Sequence, residues 1–213
     1  MRHSSERVPG KNYRPFNGKP LYQWIVETLV ASDWIHEVYI DTDSPLLHEQ
    51  APTLSKKVKM IQRPEHLRSG HIPMNDILLH DVSLVEADYY LQTHSTNPLL
   101  RKVTLEKVVE SFLSSKEHDS LFTVTRLQER LWTPDGKAIN HDPNKLERTQ
   151  DLPPVLLENS NLYLFTKKIL QERKNRIGFR PMLFEIEEFE AWDIDTELDF
   201  QIGQFLATAY PKN

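Results

Sequence analysis

Apolar residues in this chain switch repeatedly between two spacings, and the switching restricts the fold more than any other feature. "PLYQWIVETLVAS" places Leu21, Trp24, Ile25, Thr28 and Leu29 on one helical face. "EVYIDTD" then reads as a strand ending in acids at Asp41 and Asp43, and "VKMIQRP" as a shorter strand stopped by Pro64. "MNDILLHDVSLVEA" is helical in spacing, "DYYLQT" a strand, "TLEKVVESFLSS" a helix and "SLFTVT" a strand. After residue 154 the order resumes with "NLYLF", "TKKILQER" and "MLFEIE", and the chain closes on a helix from Thr196. Thr196 followed by Asp199 predicts a capping box there. Strands alternating with helices predict an α/β fold with a mostly parallel sheet. Trp24, Trp34, Phe112 and Phe205 are expected in its core.

The segment from about 126 to 154 breaks the rhythm. It is polar, carries Pro134, Pro143, Pro153 and Pro154, and shows little periodicity. It reads as an excursion from a single domain of 213 residues. The net charge of −5 excludes bulk attraction to nucleic acid or anionic lipid. The absence of cysteine excludes thiolate metal sites, disulfides and a cysteine nucleophile. No apolar run approaches the ~20 residues of a membrane helix, and no secretory segment precedes the first loop, so a cytoplasmic location is expected.

Ligands of open α/β sheets bind beyond the carboxyl ends of the strands. Four stretches fall at such places. The first is the basic opening, "MRHSSERVPGKNYRPFNGKP", whose Gly and Pro turns with Arg2, Arg7, Lys11 and Arg14 suit phosphate oxygens. It matches neither a Walker loop nor a G-x-G-x-x-G fingerprint. In "WDIDTELDF", Asp193 and Asp195 are two apart, so in extended chain both carboxylates share a face and Ile194 takes the other. Two hard oxygen ligands beside substrate phosphates suit Mg²⁺. "DTD" at 41–43 has the same geometry and resembles the D-x-D of metal-dependent glycosyltransferases. In "QTHSTNPLLR", Gln92 has an amide that suits a nucleobase edge. The histidines, His94 included, lack metal-ligand spacing and read as turn or surface residues.

In series, "RHSSERVPGKNYRPFNGKPL", "IDTD", the "RP" at Arg63, "QTHSTNPLLR", "RTQDLPPVLLEN" and "DIDTELDF" resemble the acylneuraminate cytidylyltransferases. These are the CMP-sialic acid synthetases and their relatives acting on Kdo, legionaminic and pseudaminic acids. The resemblance spans essentially the whole chain. It implies a Rossmann-like, mostly parallel sheet with helices on both faces. It also implies a homodimer made through an insertion at about 126–160. The implied reaction is attack of the anomeric hydroxyl of a 2-keto-3-deoxy sugar acid on the α-phosphate of CTP, with release of pyrophosphate. Carried over by position, Arg2 and Lys11 would neutralise the triphosphate, with Ser5 and Arg7 in the same loop. Asn12 would fix the nucleotide, Gln92 would read cytosine, and Arg63 would lie near base and ribose. Asp193 and Asp195 would hold Mg²⁺, Asp195 nearest the attacking hydroxyl. Gln150, Glu158 and Asn159 match the family's sugar-side segment.

The chain departs from the family at Leu156-Leu157-Glu158-Asn159-Ser160, where Y-x-E-N-G is usual, and places Gly70 and Met74 near expected polar positions. The family's basic loop follows a buried apolar strand, and this sequence starts inside the loop. That predicts a natural start upstream of Met1. Two other functions fit parts of the pattern: a glycosyltransferase holding its metal with "DTD", and a nucleotide-binding module without catalysis.

Overall fold

The computed structural model describes residues 1–3 and 8–212. All six strands expected from the sequence form: β3 (Val38–Thr42), β4 (Val58–Gln62), β5 (Tyr90–Thr93), β6 (Ser120–Leu127), β7 (Val155–Phe165) and β8 (Pro181–Glu185). So do the expected helices α1 (Leu21–Ala31), α3 (Met74–Leu84), α4 (Lys102–Ser114), α5 (Lys167–Arg173) and α6 (Glu197–Ala209). A short α2 (Pro45–Gln50) and a two-strand ladder, β1 (Pro15–Phe16) with β2 (Lys19–Pro20), complete the elements the site depends on. That ladder turns on Asn17 and Gly18, both at positive φ (45° and 90°), the conformation for which Asn-Gly is selected in tight hairpins.

The α/β class holds, but the sheet is mixed and divided. β3 and β4 pair in parallel. The other sheet has the order β5-β7-β6-β8, with only β6 and β8 parallel. The reason lies in β7, an 11-residue strand where the pattern predicted five. It returns antiparallel to β6 and so reverses the direction of the sheet beside β5.

Side-chain alternation along β7 puts helices on both faces. Leu162 and Leu164 pack with α1 and α4 through Ile25, Leu105 and Val108. Tyr163 and Phe165 pack with α3 and α5 through Leu78, Val82 and Leu170. A third cluster joins Phe16 and Leu21 to Ile194 and Phe200 of the C-terminal segment. There Phe16 meets Phe200 edge-on at 5.4 Å. A Cβ at Gly203 would stand 3.2 Å from the Phe16 ring, so this glycine lets α6 approach closely. The packing brings the last acidic motif beside the first basic loop.

The excursion is a hairpin extension. β6 and β7 remain paired from Val124↔Glu158 to Leu127↔Val155, so residues 155–160 belong to a strand, and the irregular part is 128–154. Asn140 holds this part by donating to the carbonyls of Glu129 and Pro153 and accepting from the Leu131 amide. Two expected core residues lie outside: Trp34 is 46% and Phe205 69% exposed. Trp34 falls in the bend after α1, and Phe205 faces away from the Phe16–Phe200 contact.

Candidate active site

A cavity of about 1150 Å³ lies between the facing edges of β3 and β5, neither of which pairs there with another described strand. Its inner wall is apolar, with Ile25, Ile40, Leu91 and Leu164. Its polar groups collect at the carboxyl ends of the strands, where α/β folds place ligands.

One end is made by the basic loop and the acidic motif. Gly10, at φ 65°, turns the chain into a 3-10 turn at Lys11–Tyr13, which buries Lys11 and Asn12. The Lys11 ammonium donates to the Ile194 carbonyl at 2.5 Å and stands 3.6 Å from Asp195 Oδ1. Asn12 is held on both sides: its Nδ2 donates to the Arg2 carbonyl (3.1 Å) and its Oδ1 accepts from Ser95 (2.8 Å). Arg2 lies against Gly70, where a Cβ would stand 2.6 Å from its Nη1. Ser5 and Arg7 fall outside the described residues. Arg14 is not at the cavity; it pairs bidentately with Glu197 (2.6 and 2.9 Å) and lies 4.2 Å over the Phe200 ring.

The acidic motif is extended without being a strand. Ile194 is buried and its amide bonds the Thr96 carbonyl, so Asp193 and Asp195 fall together on the opposite side, where both line the cavity. The expected capping box forms between Thr196 and Asp199. Asp199 also accepts from the Asp195 amide, which fixes the backbone that carries the two carboxylates. Burial opposes ionisation of the Asp199 carboxyl, but three hydrogen bonds at residues 195 and 196, with the Lys11 charge, hold its pKa below the usual range. Among the described residues no three His, Cys, Asp or Glu side chains converge as a metal cage. Asp193 and Asp195 are hard oxygen donors and could hold a Mg²⁺ that takes its remaining oxygens from phosphates and water.

"DTD" is used differently. Asp41 is buried and its Oδ2 accepts from Arg63 Nε at 2.9 Å. Asp43 Oδ1 accepts from the His3 amide at 2.7 Å. The two acids do not form a matched pair. Arg63 lines the cavity, but its head is committed to Asp41, with a second contact to the Asp41 carbonyl at 3.3 Å.

The other end of the polar region centres on Gln92. Its Oε1 accepts from Arg176 at 2.5 Å, and its Nε2 donates to the Thr93 carbonyl (3.0 Å) and meets His94 Nε2 at 2.9 Å. Gln92 lines the cavity with these partners on both its oxygen and its nitrogen. His94 is half-buried at the turn after β5, where its carbonyl accepts from the Asn97 amide. Burial, then the Arg176 charge, lower its pKa from 6.5 to about 4, so it is neutral at physiological pH. Arg176 lies 3.4 Å over the Tyr163 ring, and the Tyr163 hydroxyl bonds Glu158. No motif announced Arg176 or Tyr163, and His94 was expected only as a turn or surface residue. The only available signal was the polar character of "QTHSTN" directly after a strand.

Three expected sugar-side residues do not line the cavity. Gln150 sits exposed in the 3-10 turn Thr149–Asp151. Asn159 is buried in the sheet, where its Oδ1 accepts from Thr123 (2.7 Å) and its Nδ2 donates to Thr125 (3.0 Å). It staples the irregularity at which the β6–β7 register shifts. Glu158 is exposed and serves Tyr163. Ser160 does line the cavity and has φ 58°, the left-handed region, which accounts for the glycine usual at this position.

The profile of the cytidylyltransferase family matches residues 1–201. N-acylneuraminate cytidylyltransferase A of Danio rerio is 26% identical over 95% of this chain, which spans 48% of that relative's own length. The pseudaminic acid cytidylyltransferase of Campylobacter jejuni is 23% identical over 96% of this chain and 92% of its own. Among solved structures, CMP:2-keto-3-deoxy-manno-octonic acid synthetase complexed with CTP superposes with a TM-score of 0.71 at 18% identity. The match covers 98% of this chain and 96% of that one.

Proposed function

The chain belongs to the cytidylyltransferase family, and on that premise we propose that it transfers CMP from CTP to the anomeric hydroxyl of a 2-keto-3-deoxy sugar acid. The supporting observation is the convergence of Lys11 and Asp195, 184 residues apart in sequence, at 3.6 Å on the wall of one cavity. A cation and a carboxylate at that distance can serve opposite partners of one displacement. Lys11 faces the phosphates and Asp195 the nucleophile.

In the reaction, the hydroxyl oxygen bonds the α-phosphorus as the bond from that phosphorus to the β-bridging oxygen breaks. Pyrophosphate leaves and the hydroxyl proton passes to Asp195 or solvent. Such transfers need positioning and charge neutralisation more than covalent help. Lys11 and Arg2 supply positive charge to the triphosphate, with Ser5 and Arg7 in the same loop. Asn12, pinned by Ser95 and the Arg2 carbonyl, keeps that loop against the cavity. Asp193 and Asp195 would hold Mg²⁺, which neutralises phosphate charge and acidifies the attacking hydroxyl when bound. Arg63 contributes indirectly, by fixing the end of β3 through Asp41.

The commitment of Asp41 to Arg63 disfavours a glycosyltransferase that would need "DTD" on a metal. Exposed Trp132, Ile139, Leu156 and Leu157 on the hairpin extension support its use as the contact of a homodimer. No helix among the described residues is long and apolar enough to cross a membrane, and we place the enzyme with its CTP supply in the cytoplasm. A coupled pyrophosphate assay with CTP, Mg²⁺ and a panel of eight- and nine-carbon sugar acids tests the reading. Release dependent on one of the acids is expected. CTP binding without release across the panel would instead assign a nucleotide-binding module.

A further inference from the structure

Arg176 is a cation whose surroundings are not explained by folding alone. It follows α5 in a loop built to hold it. Lys174 takes the left-handed conformation that ends the helix, and the Arg176 amide donates to Asn75 Oδ1 of α3 at 3.2 Å. The guanidinium carbon stands 3.4 Å from the Tyr163 ring centroid, and the side chain lines the cavity. Of its five N–H donors, one bonds Gln92 Oε1, and the side chain has a further hydrogen-bonding contact with the Tyr163 hydroxyl, which leaves donors for another acceptor. Among the described residues it has no carboxylate ion pair: Glu158, whose charge reaches it, accepts from the Tyr163 hydroxyl. A guanidinium partly withdrawn from water is costly unless an anion meets it.

We propose that Arg176 holds the carboxylate of the sugar-acid acceptor. The inference rests on the transferase reading above and names the group that would select an acid over a neutral sugar. Guanidinium and carboxylate match as a planar, bidentate pair. In a 2-keto-3-deoxy sugar acid the carboxylate and the attacking hydroxyl are borne by adjacent atoms, C1 and the anomeric C2. A carboxylate anchor must therefore stand close to the transfer site. Arg176 satisfies this: it lines the same cavity as Lys11, Asp195 and His94, and its charge and those of Lys11 and Asp195 all act on the His94 ring. Tyr163 blocks one face of the guanidinium and Gln92 sets its rotation, so the remaining donors are fixed before substrate arrives.

The test uses the full chain with α,β-methylene-CTP bound. N-acetylneuraminate and Kdo are titrated by calorimetry, each as the free acid and as the methyl ester. The wild-type protein is expected to prefer the acid by at least about tenfold, the worth of one charge-assisted hydrogen-bonded pair. Arg176→Ala should reduce that preference to less than about twofold with unchanged affinity for the CTP analogue. Arg176→Lys, which keeps the charge and tests the case where the alanine variant folds poorly, should retain part of it. A wild type without acid preference, or an alanine variant that keeps it, overturns the anchor. So does an alanine variant that loses discrimination of CTP from UTP while its acid preference stands, because Arg176 would then serve only to orient Gln92. Acid preference without any pyrophosphate release would overturn the transferase reaction and leave the anchor in place.

Discussion

At the Lys11 end of the cavity, two short segments of sequence bring together Arg2, Lys11 and Asn12 on one side and Asp193 and Asp195 on the other. At the Arg176 end, groups of the same kind come from β5, β7, α3 and the loop after α5. The first end is a meeting of two local motifs, each shaped by its own turn or cap: Gly10 before Lys11, and the Thr196–Asp199 box behind Asp195. The second is a relay, Glu158–Tyr163–Arg176–Gln92–His94, in which each member is placed by the tertiary fold. Chemistry that tolerates little variation can be written locally. Recognition of a variable acceptor can be distributed over many elements and altered one at a time.

Four substitutions break or sharpen this contrast. The largest effect is expected beside the phosphate end, where Arg63→Met strands the buried Asp41 carboxylate. Breaking such a pair costs about 3–5 kcal/mol, measurable by urea unfolding, and loss of CTP affinity should follow from the shifted end of β3. Lys11→Ala comes next. It removes one group aimed at developing phosphate charge and should lower kcat by about 10²–10³-fold, with a melting temperature near that of the wild type. A large loss of fold stability without loss of kcat would turn Lys11 into a structural residue.

Asp81 gives a smaller, pH-dependent effect. Burial, and then the neighbouring Asp41 carboxylate, push its pKa from 3.8 up to about 7. The folded state therefore keeps a proton that the unfolded chain gives up at lower pH. Stability from this group is full below the unfolded value and is lost as pH rises through 7. Asp81→Asn cannot ionise and should be more stable than wild type at pH 8, by about 1–3 kcal/mol, with a flatter stability profile between pH 4 and 7. Equal stabilities at pH 8 would remove Asp81 from the account. The smallest effect belongs to the relay end: Ser160→Gly relieves a left-handed residue and should stabilise by about 1 kcal/mol while leaving acceptor preference intact.

Legibility from sequence divided along the same line. The strands and helices were readable because each carries its own apolar period, and the acidic motif because alternation alone puts Asp193 and Asp195 on one side of Ile194. The length of β7 was not readable: Asn159 and Ser160 look like turn residues, and they serve within a strand irregularity that only pairing with β6 defines. Asn159 holds that irregularity through Thr123 and Thr125. Gln92 was legible as a polar group after a strand, but its partner Arg176 lies 84 positions away, in a stretch with no periodic or motif signal. Helical spacing likewise could not tell that Phe205 faces outward, since Phe200 on the same helix already meets Phe16.

The account stands on attack at the α-phosphorus of CTP. Phosphorus-31 NMR of a reaction containing CTP, Mg²⁺ and the acid selected by the panel follows this directly. The expected spectrum gains inorganic pyrophosphate and one phosphodiester resonance from a CMP-sugar in equal amounts. CDP with a sugar phosphate, or orthophosphate, would place the attack on another phosphorus and contradict the assignment of Lys11 and Asp195.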